Sequence, residues 1–134
     1  MTSYPKKDLV LYDAFTLTNT LAPGGLIMKI EDHTEVAFYM DYTPGGSGDT
    51  LRYQTEFSND GTNWHSEPDE VDDGTVIKVT PRTREFVSLS AALQKVPVYS
   101  VGVGDLWLRL LVAETAAGGF GSLTVRARGV GQFK

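Results

Sequence analysis

The chain has 134 residues, no cysteine and a formal net charge of −5. That length suits a single domain, 1–134, which buries roughly two thirds of its extended surface and needs no metal or cross-link to hold together. The lack of cysteine excludes thiolate metal sites, cysteine nucleophiles and disulfides, while the acidity argues against nucleic acid as the main partner.

The opening M-T-S-Y-P-K, residues 1–6, is expected to be a loose arm. It lacks the apolar core of a cleaved signal, and no run in the chain reaches the ~18 apolar residues of a membrane span. A soluble chain made in the cytosol, with no membrane partner, is the expectation. Leu9-Val10-Leu11-Tyr12 is a first short strand, and Pro23-Gly24-Gly25 marks a turn before a second at Leu26–Ile30. Glu31-Asp32-His33-Thr34 is a polar connection. Val36, Phe38, Met40 and Tyr42 then alternate with Ala37, Tyr39 and Asp41, which predicts a long half-buried strand.

Six small or polar residues, Pro44–Asp49, separate it from a second alternating run. In that run Leu51, Tyr53, Thr55 and Phe57 interleave with Arg52, Gln54, Glu56 and Ser58. The two strands are expected to pair as a hairpin with a flexible tip. Asn59-Asp60-Gly61 supplies a tight turn, because Asn and Asp bond the local backbone and Gly accepts positive φ. Trp64 is placed to fold back over the strand end as a lid that buries apolar area.

Glu67–Gly74 carries five acids and reads as a solvated loop. Val76, Ile77 and Val79 form a short strand ended by Pro81, and Phe86–Leu89 another. Ala91–Lys95 has room for one helical turn before Pro97, and Val96–Val103 is extended. Leu106, Leu108, Leu110 and Val112 mark the most apolar strand, expected to be central. After Ala116–Gly119 the last strand runs from Phe120 to Val130. The pattern predicts an all-β, antiparallel β-sandwich of eight or nine strands, a jelly roll being one such arrangement and a β-barrel the alternative.

No catalytic constellation stands out, and no enzyme activity or cofactor is expected. The acidic segment fails the EF-hand spacing, since Val71 and Thr80 occupy ligand positions. Asp69, Asp72 and Asp73 remain a weak non-standard calcium candidate, and no other metal site is indicated. His33 and His65 cannot make a three-histidine zinc site. The glycine-rich segments Gly45–Gly48 and Gly118–Gly121 lack the Gly-Lys-Ser/Thr ending of a phosphate loop and are read as hairpin tips.

Arg126 and Arg128 share one face of the last strand, with Arg109 expected nearby. They form a candidate interaction face for phosphate or carboxylate groups, or a polar outer face that protects an edge. Tyr39, Trp64, Trp107 and the other tyrosines include candidates for a sugar-stacking platform. Charge is uneven along the chain: residues 1–81 hold 5 Lys/Arg against 14 Asp/Glu, and residues 82–134 hold 7 against 3. Such asymmetry fits association of identical subunits, acidic surface to basic, although halves of a sandwich also interleave in space.

The segment S-N-D-G-T-N-W, following an aromatic strand, resembles the S-x-D-G-x-x-W hairpin of small β-sandwich virion structural proteins of tailed bacteriophages. The ending L-T-V-R-A-R-G-V-G-Q-F-K is similar to theirs in character. The resemblance implies that Asp60 and Gly61 make the turn and that Trp64 packs behind it. It also implies a non-enzymatic role in capsid decoration or at the head or tail, as a symmetric homo-oligomer docked on a capsid or tail protein. Synthesis would be in the bacterial host cytoplasm and the final location the virion. A carbohydrate-binding β-sandwich module that takes a glycan is the alternative.

Overall fold

Alternation of buried and exposed residues, rather than any helical period, dominates the chain, and strands follow from it. The structure, a computed structural model, describes residues 7–25, 27–30, 35–72, 74–102 and 107–130. The arm at 1–6, His33, Asp73, Val103 and Leu106 lie outside the described residues. Among the described residues there are eleven strands and no helix, hence none long and apolar enough to cross a membrane. They are β1 (Lys7–Thr16), β2 (Met28–Lys29), β3 (Glu35–Thr43), β4 (Thr50–Ser58), β5 (His65–Ser66) and β6 (Pro68–Asp72). β7 (Ile77–Pro81), β8 (Arg84–Val87), β9 (Gln94–Gly102), β10 (Trp107–Thr115) and β11 (Ser122–Val130) follow.

Two antiparallel sheets pack face to face. The first has the order β1-β11-β3-β9; the second has β2-β10-β4, with β8 beside the first half of β4 and β5 beside its end. Setting β5–β7 aside, the order is 1-11-3-9 over 2-10-4-8. Every connection except that from β4 to β8 passes from one sheet to the other. This is the jelly-roll arrangement of two interlocked Greek keys, not a closed barrel. The core lies between the sheets, where Val36, Phe38, Met40, Tyr42, Leu123 and Val125 of the first face Leu51, Tyr53, Leu108, Leu110 and Val112 of the second. Period-2 alternation sends every other residue of these strands inward. β10 is central in its sheet, as its apolar content predicts.

Tyr12 ties the sheets together, donating from its hydroxyl to the Leu110 carbonyl at 2.6 Å. Burial raises its pKa, since the phenolate would be desolvated. Two register shifts interrupt β1, between Val10 and Tyr12 and between Tyr12 and Phe15. At the second, Ala14 sits at φ 47°, a left-handed conformation that a side chain disfavours.

Three local expectations are corrected. β3 and β4 do not pair as a hairpin: they lie in opposite sheets, and the segment 44–49 crosses between them. Periodicity identifies the buried face of a strand but not its neighbour. The acidic stretch is not all loop, since Pro68–Asp72 forms β6 and pairs with β7 in a two-stranded hairpin. No helical turn forms at 91–95, where bends lead directly into β9.

Candidate functional site

The turn after β4 is built by one carboxylate. Asp60 Oδ1 accepts from the backbone N–H of Thr62 and of Asn63, each at 2.8 Å, and from Ser58 Oγ at 2.9 Å. Its Oδ2 accepts from the Asn63 amide at 2.7 Å. These donors hold the carboxyl well below the usual carboxylate range, the Asn63 backbone N–H contributing most. Gly61, at φ 77°, supplies the left-handed residue and rests on Trp107.

Trp64 does not enter the core. It is half-buried on the outer face of the second sheet, where the Arg109 guanidinium stacks 4.3 Å from its ring centroid. Arg109 also donates from Nε to Glu56 Oε1 at 2.7 Å, across the β4–β10 ladder. Arg109 is therefore not beside Arg126 and Arg128. It belongs to the opposite sheet, committed to Glu56 and Trp64.

Sequence reasoning passed over the most interconnected buried carboxyl, Glu114. Its place in phase with Leu108, Leu110 and Val112 was the available signal, for it puts a carboxyl on a core face. Glu114 is fully buried and accepts from the Tyr42 hydroxyl, from Gly45 N–H at 3.1 Å and from Gly121 N–H at 2.7 Å. Burial and this carboxyl together raise the Tyr42 pKa strongly. The two glycine-rich segments are not hairpin tips but sheet-crossing corners clamped together by Glu114. A Cβ on Gly45 would lie 1.9 Å from the Gly119 oxygen, and one on Gly121 would lie 2.0 Å from the Thr43 oxygen. With three donors converging on it, Glu114 braces a corner rather than facing a substrate.

Two surfaces remain. The outer face of the first sheet carries a shallow concavity of about 590 Å³ lined by Tyr39, Asp41, Lys95, Val98, Arg126 and Arg128, among others. Tyr39 is directly opposite Arg126 in the β3–β11 ladder and is 43% exposed, and Lys95 bonds Asp41 at 2.9 Å. Arg126 and Arg128 thus do share a face, two residues apart on a strand.

The second surface is the β6–β7 hairpin, exposed along both strands. Its neck is held by Glu67, which pairs with Arg84 through both carboxylate oxygens and accepts Arg82 N–H on its carbonyl at 2.8 Å. Arg84 in turn lies over Tyr99, 4.3 Å from the ring centroid, and closes that edge of the sandwich. Beyond the neck, Val71, Ile77 and Val79 are all more than half exposed.

The calcium candidate is not supported by this geometry. Asp69 and Asp72 are three residues apart on one strand, so their side chains leave opposite faces of the hairpin; Asp73 is outside the described residues. Among the described residues no group of three or more His, Asp or Glu is placed to hold a metal ion. His65, in β5, is exposed. Compared with protein-family models, with curated proteins and with solved structures, the chain matches none.

Proposed function

We propose that this chain is a non-enzymatic structural protein of a tailed-bacteriophage virion. In this reading it is a capsid-decoration or head/tail accessory protein that acts by protein–protein assembly. It forms a symmetric homo-oligomer docked on a capsid or tail protein, after synthesis in the bacterial cytoplasm. The observation that carries the reading is the β6–β7 hairpin. An isolated two-stranded ribbon is marginal in water, yet this one projects with Ile77 and Val79 about 60% exposed. Apolar groups on a projecting element are what a partner surface covers. The S-x-D-G-x-x-W turn and the jelly roll, which serves capsid domains among others, agree with it.

A second reading, a carbohydrate-binding module, is favoured by the exposed Tyr39 ring in a concavity with three cations. The two separate cleanly. Under the first, the gene lies among terminase, portal and major capsid genes; a neighbourhood of polysaccharide-degrading enzymes would refute it. Under the second, a glycan array gives binding that Tyr39→Ala abolishes.

A further inference from the structure

We propose that the β6–β7 hairpin of one copy docks, through its cation-free face, into the concavity on the outer face of the first sheet of a second copy. The inference rests on the assembly reading above and names the partner as this same chain. Ladder pairs share a face, so Pro68 and Pro81, Glu70 and Val79, and Asp72 and Ile77 all point to one side of the hairpin. That side presents two carboxylates and two aliphatic groups, and Lys78 lies on the other.

The concavity presents the counterpart. Arg126, Arg128 and Lys95 line it with Asp41, which Lys95 bonds, Asp8 stands opposite Arg128 in the β1–β11 ladder, and Tyr39 and Val98 are its exposed apolar lining. Segment 68–81 holds four acids, Asp69, Glu70, Asp72 and Asp73, against Lys78 alone. The charge asymmetry along the sequence is here a surface asymmetry, with the hairpin drawn from the acidic part and the three cations from the basic part.

The hairpin leaves the second sheet and the concavity belongs to the first, so the contact joins two different patches. Such a heterologous contact propagates around a ring when its rotation closes.

The test uses the full chain and two charge-reversed variants at exposed positions, Glu70→Lys/Asp72→Lys on the hairpin and Arg126→Glu on the sheet. Light scattering after size exclusion at micromolar concentration is expected to find the native chain oligomeric. Each variant is expected to weaken association about tenfold or more, as close interfacial charge pairs do. Mixed together, the variants are expected to associate again, since each retains one intact half of the contact and the two reversed halves carry opposite charges.

Added salt should dissociate the native oligomer, a readout that needs no variant. A monomeric native chain, a mixture that stays monomeric or a salt-insensitive oligomer would overturn the docking. An oligomer that survives both reversals would overturn it too, yet leave the assembly reading intact, because the gene neighbourhood tests that separately.

Discussion

Glu114 offers the sharpest test of how the corner is held. Glu114→Gln keeps shape and volume but replaces one acceptor oxygen with an NH₂ donor. If the amide oxygen faces Tyr42 and Gly45, its NH₂ meets the Gly121 N–H, now 2.7 Å from a carboxylate oxygen, and two buried donors are left opposed. At about 1–3 kcal/mol for each unsatisfied buried group, less the relief of desolvating one charge, the expected loss is roughly 2–4 kcal/mol. Tyr42→Phe removes one bond to the carboxyl and should cost about 1.5–3 kcal/mol.

The double variant should lose at least about 1 kcal/mol less than the sum of the two, since both act through one bond. Urea unfolding followed by the fluorescence of Trp64 and Trp107 measures all three. The corresponding fall in melting temperature is roughly 3–5 °C per kcal/mol for a chain of this size. A Glu114→Gln loss below about 0.5 kcal/mol would refute the account of Glu114 as the acceptor that joins the two corners.

Other substitutions address separate parts of the fold. Gly121→Ala drives a Cβ to 2.0 Å from the Thr43 oxygen and should cost more than about 3 kcal/mol or prevent folding, read as loss of the cooperative melt. Ala14→Gly relieves the positive φ and should be neutral to about 1 kcal/mol stabilising, whereas Ala14→Val should destabilise; the opposite order would show that the conformation is unstrained. Trp64→Ala should cost about 1–2 kcal/mol, for a half-buried ring stacked on Arg109, rather than the 3–5 typical of a core aromatic.

Asp60 carries a pH signature. Its folded pKa is depressed from the ordinary 3.8, so the stabilisation is present above that value and is lost as pH falls through the folded one. Asp60→Ala should therefore lower the melting temperature near neutrality and flatten the acid limb of the stability curve; a parallel shift at all pH values would contradict this.

Much of this was legible locally. The alternation of Val36, Phe38, Met40 and Tyr42, and of Leu51, Tyr53 and Thr55, announced strands with one buried face, and Asp60-Gly61 announced a turn. Asp60 is legible because its partners, Ser58, Thr62 and Asn63, all lie within three residues. Trp64 was less so. A tryptophan after a strand reads as core, but Arg109, which holds it outside, is 45 residues away on β10.

What the sequence by itself determined is the all-β class, the inward phase of β3, β4, β10 and β11 and the separation of acidic from basic segments. All of these depend on neighbours one or two positions apart. The tertiary structure alone decided that β3 and β4 lie in opposite sheets, and that Glu114 joins two glycine corners. It also decided that Arg109 faces away from Arg126 and Arg128, and that the acidic segment stands out as a ribbon. The reason is physical. A strand's period tells which side is buried, whereas its ladder partner is chosen by the best joint burial of all inner faces, a property of the whole sandwich that no short segment contains.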